Sequence, residues 1–463
     1  MKKILFAFLL TVASFSAIAA EAPEKHGKKH ARKGEVVEHL QNHYKFYGFI
    51  RNYFAFDTRE CTAGTGDLFF YLPKDENWNE DHSVDLNQQS SFRFLSLTSR
   101  VGVDVTGYQV GNVHFGAKIE ADFYAGLSGV TGTANLRLRQ AYATVTWKDL
   151  ALNGKEKASV ALKMGQAWHP FAADMPHTFS LETGAPFGPF SRTPQITMDA
   201  NLGSHWTLSA SAIWQMQYTS AGPAGASANY LKYALNPEAY FGLTYKTGGF
   251  LVRAGVDVLS IKPRNTGKVV YSHVEEQDGV NVTVQDTKTV KVKDRLTTVS
   301  PFVFLQYAHG LFGIKAKTVF GEAGEHFNLM SGYAHTSTNE DGSWGYTPLR
   351  NSSTWVSISY GKKWQGVLFG GYVKNLGLKS ASELPLTKDD IYFSKNGVST
   401  IRQMWRIEPE ILFNYGKFTI GLEYNYTAVE YGDGKSYCSR GLADTGRHWV
   451  GNHRIQGMIK FTF

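Results

Sequence analysis

Sixteen segments of alternating polarity recur along this chain, and they constrain its fold more than any other feature. In the clearest of them, residues 113–125, Val113 and Phe115 share one face while Lys118 and Glu120 share the other. Successive side chains of a β-strand point to opposite faces, so each segment predicts a strand with one apolar and one polar side. The segments span residues 44–57, 94–106, 113–125, 136–147, 157–166, 195–200, 206–218, 238–246, 250–261, 298–307, 312–320, 354–360, 367–374, 405–415, 418–428 and 449–463.

The links between these segments alternate between long and short. The long links span residues 58–93, 126–135, 167–194, 219–237, 262–297, 321–353, 375–404 and 429–448, and the intervening links are turns such as Gly416-Lys417. Long extracellular loops and short periplasmic turns are typical of bacterial transmembrane β-barrels, which have an even number of strands. A soluble β-sandwich gives no reason for this alternation. We therefore predict an all-β, antiparallel transmembrane barrel of sixteen strands over residues 44–463, in a bacterial outer membrane.

Both ends of the chain fit this prediction. Lys2 and Lys3 precede a short apolar stretch, and small residues follow it, which predicts a secretory signal peptide over residues 1–19 with cleavage after Ala19 or Ala20. Residues 20–43 show no periodicity and are predicted to form a basic periplasmic segment. The last segment ends on Phe463, which is typical of a closing barrel strand and predicts recognition by the barrel assembly machinery.

Composition argues against several other classes. After the signal peptide no run approaches about 18 consecutive apolar residues, which argues against a membrane-spanning helix. The formal charge of +8 falls to +6 when Lys2 and Lys3 leave, but the basic residues are interleaved with apolar ones, so no nucleic-acid surface is predicted. No Gly-x-Ser-x-Gly motif is present, and neither an enzyme activity nor a cofactor or metal is predicted.

The predicted lumen faces carry sixteen basic and ten acidic side chains, whereas the lipid faces carry neither. A barrel of sixteen strands is wide enough to enclose an aqueous channel, and a charged lining sets its ion preference. The basic excess predicts a mild preference for anionic solutes; alternatively, the charges pair across strands and only hydrate the wall. The strand residues predicted to line the pore are Arg51, Arg100, Arg137, Arg139, Lys163, Arg253, Lys315, Arg406 and Arg454.

One strand and one link depart from the simple pattern. Between residues 136 and 147 the alternation changes phase, which predicts a β-bulge near Gln140.

Residues 169–194, within the third long link, hold five prolines and four phenylalanines, more than a solvated loop needs. We predict that this third loop folds into the lumen and narrows the pore opposite the arginines, or else packs over the barrel mouth or a subunit contact. Its predicted pore residues are Asp174, His177, Glu182 and Arg192.

Two stretches carry a family resemblance. Residues 137–142, Arg-Leu-Arg-Gln-Ala-Tyr, and residues 165–168, Gly-Gln-Ala-Trp, followed by the Pro/Phe-rich loop, resemble the DcaP-like porins, which are related to the phosphate-selective (OprP/OprO-type) porins. The resemblance implies a homotrimer, a third loop inside the channel, passage of small and often anionic solutes, and a constriction that includes Arg137 and Arg139. The chain differs from the group in lacking an N-terminal heptad pattern and a clear run of lysines along one wall.

The sequence therefore predicts an outer-membrane diffusion porin for small hydrophilic solutes, surrounded by lipid and lipopolysaccharide. A surface adhesin or structural barrel is one alternative, and an outer-membrane enzyme barrel is another.

The two cysteines, Cys61 and Cys438, fall in the first and eighth long loops. These loops follow and precede strands that are neighbours in a closed barrel, so a disulfide is predicted, with two free thiols as the alternative.

Overall fold

The computed structural model of the protein describes residues 43–125, 134–153, 156–277 and 280–463. Residues 43–463 form one compact unit. The predicted signal peptide and all of the predicted periplasmic segment except His43 lie outside the described residues, and both remain predictions.

Sixteen antiparallel strands form one closed barrel, as the alternation predicts. Each strand pairs with its neighbours in the sequence, and the last strand pairs with the first. The strands are β1 Tyr44–Asp57, β2 in two pieces (Ser91–Leu95 and Arg100–Val110), β3 Val113–Tyr124, β4 Asn135–Asn153, β5 Glu156–Trp168, β6 Arg192–Leu202, β7 Trp206–Ile213, β8 Glu238–Thr247, β9 Phe250–Ile261, β10 Leu296–His309, β11 Phe312–Glu322, β12 Trp344–Gly361, β13 Trp364–Leu378, β14 Ile401–Tyr415, β15 Phe418–Tyr431 and β16 His448–Thr462.

The outer wall of the barrel is mainly apolar, although Lys374, one of the sixteen basic residues assigned to the lumen, is exposed on the outer face of β13 with Leu368 and Tyr372. Along β16, Ile455 and Ile459 are 44% and 51% exposed, whereas the intervening Arg454 and Gln456 are buried in the interior. Aliphatic and aromatic side chains are exposed in the same way on the other strands. A closed sheet leaves no unpaired edge, so an apolar outer wall can face hydrocarbon without exposing backbone groups.

The predicted β-bulge is confirmed between β3 and β4. Glu120 pairs with Gln140 and Ala121 with Leu138, which leaves Arg139 as the extra residue. Because the bulge resets the alternation, Arg139 and Gln140 both point into the lumen. Their side chains donate to the same Glu120 oxygen, at 2.8 Å and 3.2 Å respectively.

The long loops contain most of the remaining structure. They include the hairpins Cys61–Gly64 with Phe69–Pro73 and Thr266–Gln277 with Val280–Lys291, and a helix, Asn229–Ala234. β12 begins well before residue 354 because its first part pairs with a loop strand, Gly332–Thr338. Within the described ranges, no helix has the length and apolar character needed to cross a membrane.

The predicted disulfide is not formed in the structure, which has Cys61 and Cys438 as free thiols. The first loop turns inward at Cys61, whose thiol donates to Arg59 O at 3.1 Å. The N–H of Cys438 donates instead to Leu442 O at 3.0 Å, within a turn of its own loop. Adjacent loops are therefore not sufficient to bring the two sulfur atoms together, since each cysteine is held by its own local backbone structure.

Candidate functional site: an arginine-lined passage beside loop 3

Loop 3, residues 169–191, lies inside the barrel. Its Phe171 and Phe187 are 0% exposed. The Phe171 ring packs edge-on against Phe302 of β10 with 5.0 Å between centroids, and the Phe187 ring packs against Phe369 of β13 at 6.2 Å. The aromatic residues of the loop are therefore buried by aromatic residues on the inner face of the wall, which removes both sets from water.

Polar contacts hold the same loop to the same wall. Lys317 Nζ donates to Phe171 O at 2.5 Å, and Lys315 Nζ donates to Met175 O at 3.1 Å. Further contacts to this wall join Arg253 to Asp174 at 2.5 Å and the His177 N–H to Ser357 Oγ at 2.9 Å. On β1, across the lumen, Tyr53 Oη donates to Phe179 O at 2.8 Å. The loop is thus fixed along much of its length rather than only at its ends.

The remaining space forms a cavity of about 900 Å³ between loop 3 and the wall built by β1 to β6. Ser180, Leu181 and Thr183 of loop 3 line one side. Five arginines, Arg51, Arg100, Arg137, Arg139 and Arg192, line it from the strands. Five of the pore residues predicted from the sequence are therefore brought together around one cavity.

Two carboxylates partly neutralise this arginine cluster. Asp122 accepts from Arg137 Nε at 2.9 Å and from Arg139 Nη1 at 2.6 Å. Glu120 accepts from Arg139 Nε at 2.8 Å and lies 3.6 Å from Arg100 Nη1. Such pairs fix the guanidinium groups in place, since charge-assisted hydrogen bonds are short and directional.

The other two arginines of the cluster have no carboxylate within ion-pair distance among the described residues. Arg51 donates to Thr98 Oγ1 at 2.7 Å and lies over the rings of Phe49 and Tyr53. Arg192 lies over the Trp168 ring at 5.0 Å, and its buried Nη1 atom has no hydrogen-bond partner. With five guanidinium groups facing two carboxylates, the arginine cluster carries a surplus of three positive charges.

The structure places the other eight predicted pore residues away from this cavity's lining. Asp174, His177, Arg253 and Lys315 lie where loop 3 meets the opposite wall, as their contacts above show. Arg406 is buried beneath loop 3 with Glu182 at 3.5 Å. Arg454 is buried 3.7 Å from Asp57, and Lys163 lies 5.5 Å from the centroid of the Tyr142 ring.

Several lining residues come from loops for which the sequence predicts no pore role. Tyr71 belongs to the first-loop hairpin, and Glu325 and Lys395 come from later extracellular loops. Tyr218 ends the predicted strand 206–218, but β7 ends at Ile213, so Tyr218 lies in the loop that follows. Tyr71 and Tyr218 contact each other through their hydroxyl groups at 2.9 Å. Their positions depend on how the loops fold over the mouth, which strand periodicity does not describe.

His177 gives the seating of loop 3 a pH dependence. Burial, together with the charge of Lys315, lowers the pKa of His177 to about 4 from 6.5. Because the pKa is lower in the folded loop, neutral His177 favours the seated loop above about pH 6.5, and this contribution is lost as the pH falls towards 4. We expect loop 3 amides to exchange faster with deuterium at about pH 4.5 than at about pH 7.5, after correction for intrinsic rates. His177→Gln should reduce the difference, and an equal pH dependence in both proteins would contradict this account.

No protein-family model matches the chain, and no curated protein matches it. Solved structures do match. The outer membrane channel DcaP of Acinetobacter baumannii aligns with a TM-score of 0.58 and 17% identity over 91% of this chain and 97% of that chain. The anion-selective porin from Comamonas acidovorans aligns with a TM-score of 0.47 and 8% identity over 91% of this chain and 99% of that chain. The likeness to DcaP shows the fold, and the closed barrel with its apolar outer wall makes this chain a bacterial outer-membrane protein.

Proposed function

We propose that this protein is a diffusion channel that passes small hydrophilic solutes across the outer membrane and prefers anions. The observation that carries the proposal is the arginine-lined cavity beside loop 3, with its surplus of three positive charges. A narrowing lined mainly by one sign of charge raises the local concentration of the opposite ion. The channel needs no cofactor and no covalent step, so we propose no enzymatic activity.

The cluster combines a fixed part with an available part. Arg137, Arg139 and Arg100 are held by Glu120 and Asp122 and keep the wall in one arrangement. Arg51 and Arg192 are not committed to a carboxylate among the described residues. Arg51 is half-buried, so a passing carboxylate or phosphate group can exchange hydration water for contacts with its guanidinium group and leave again, whereas Arg192 is 2% exposed and contributes its charge from within the wall.

Ion flow through single channels tests the proposal. Purified, folded protein in a planar bilayer under a salt gradient should conduct in discrete steps, with a reversal potential of the sign set by anions. A conducting channel that prefers cations would overturn the anion preference alone. Folded barrels that insert but do not conduct would overturn the channel itself and favour the adhesin or structural role, for which the long extracellular loops are available.

We further propose that the chain is a DcaP-like porin and assembles as a homotrimer, on the basis of the sequence resemblance. Conductance steps grouped in threes, and a trimer after chemical cross-linking, are the expected results.

The exposed aromatic ring of Phe463, beside the final strand, is the proposed signal for the barrel assembly machinery. Phe463→Ala should then reduce the amount of folded barrel in the membrane, whereas an unchanged amount would contradict that role.

A further inference from the structure

Four ionisable side chains from different elements meet inside the protein, apart from the arginine cluster. His169 begins loop 3, Glu238 begins β8, Asp257 lies in β9, and His326 lies in loop 6 (residues 323–343). All four are at most 2% exposed. His169 Nε2 and His326 Nε2 approach the same Glu238 oxygen, at 2.8 Å and 3.3 Å. Each also lies 3.9 Å from a different oxygen of Asp257.

This cluster leaves two buried atoms unsatisfied. Asp257 Oδ1 and His326 Nε2 have no hydrogen-bond partner, although both are inaccessible to solvent. Buried polar atoms are nearly always paired, and an unpaired one costs about 1–3 kcal/mol. Two neighbouring buried carboxylates also repel each other when both are charged. A divalent cation between Asp257, Glu238 and His326 would give His326 Nε2 a partner, with Asp257 Oδ2 as the nearer carboxylate oxygen, and would balance both carboxylates.

The hydrogen bond at Nδ1 of each histidine shows which ring nitrogen carries the proton, and this decides whether Nε2 can bind a metal ion. His326 Nδ1 lies 3.2 Å from Ala323 O, so it carries the proton and leaves the Nε2 lone pair directed at the cluster. A carbonyl that holds Nδ1–H in this way is typical of metal-binding histidines. In contrast, the Phe171 N–H donates to His169 Nδ1 at 3.1 Å. His169 Nε2 therefore carries a proton and donates to Glu238, which makes His169 a positioning residue.

We propose that His326 Nε2, Glu238 and Asp257 form a binding site for a zinc-class divalent metal ion. The 3.3 Å between His326 Nε2 and Glu238 Oε1 fits two ligands of a tetrahedral ion with bonds of about 2.0 Å. One nitrogen and two carboxylate ligands, with water in the fourth position, suit zinc better than calcium, which prefers six or more oxygen ligands. The ion would link loop 6 to β8 and β9, beside the start of loop 3.

Metal content of the purified, folded full-length protein tests the site. After removal of metal with a chelator and equilibration with ZnSO4, we expect one Zn²⁺ per chain, and Co²⁺ in its place should give the intense visible absorption of a tetrahedral centre. His326→Gln and Asp257→Asn should each lose the Zn²⁺ and the Co²⁺ spectrum. His169→Gln should weaken binding by about 10–100-fold, as expected for loss of a residue that orients a ligand.

His177→Gln is the matched control, because it removes a histidine from loop 3 outside the cluster and should retain Zn²⁺. The heat-dependent shift of folded barrels on a gel identifies variants that still fold, and only those are compared. If the unaltered protein binds no more Zn²⁺ than folded Asp257→Asn does, or binds Co²⁺ without a tetrahedral spectrum, the four groups form only a hydrogen-bonded cluster and the proposal fails.

Discussion

Exchanging Arg51 and Arg192 for glutamate together should reverse the ion preference of the channel. The two substitutions change the charge of the arginine cluster by four units, from a surplus of three positive charges to one negative charge. One unit charge about 4 Å from a permeating ion is worth about 1 kcal/mol in water and about 4 kcal/mol at an effective dielectric near 20. Several such charges at one narrowing therefore decide which ion is enriched, and the reversal potential in a salt gradient should change sign.

Two further double variants make the test specific. Arg51→Gln with Arg192→Gln leaves a surplus of one positive charge, so the anion preference should weaken without reversing. Lys268→Glu with Lys288→Glu changes the charge by the same four units on the exposed extracellular hairpin, and it should leave the reversal potential nearly unchanged because salt screens exposed, distant charges. If the hairpin variant shifts the reversal potential as much as the cluster variant, selectivity is set by the overall charge and not by the passage.

The barrel and its arginine wall could be predicted because both follow from alternation alone. A period of two residues assigns each side chain to the lumen or the lipid, and the change of phase near Gln140 predicts the bulge that turns Arg139 inward. The partners of the arginines were less accessible to prediction. Whether Arg139 contacts Glu120, Asp122 or both depends on the strand register, which was not predicted between neighbouring strands.

The position of loop 3 inside the barrel does not follow from the sequence alone. The sequence predicts that Asp174, His177 and Glu182 face the pore, whereas the structure places them against the opposite wall with Arg253, Ser357 and Arg406. Asp174 and Glu182 pair with Arg253 and Arg406 on the wall that also buries the phenylalanines of the loop. A signal was present, since the inner faces of β10, β12 and β13 carry Phe302, Trp355 and Phe369 instead of charges.

Replacing Phe171 and Phe187 with alanine should release loop 3 and give a larger, noisier channel. Both side chains are 0% exposed, and they pack on separate parts of the wall, against Phe302 and Phe369 respectively. Removing a buried phenylalanine side chain costs about 3–5 kcal/mol, and this loss falls on the seated loop because the strand ladder does not depend on either ring. Single-channel recordings should show a higher mean conductance with frequent transitions between levels.

Phe46→Ala with Phe94→Ala is the matched control, because it removes the same two rings from the outer wall, where they are 71% and 63% exposed. Its conductance should equal that of the unaltered protein.

Ion selectivity provides an independent readout, since a released loop no longer confines solutes to the arginine-lined side of the lumen. The loop variant should therefore conduct more and discriminate less. If its conductance and noise remain unchanged while the barrel is folded, the polar contacts alone hold loop 3 and the phenylalanines are not its anchors.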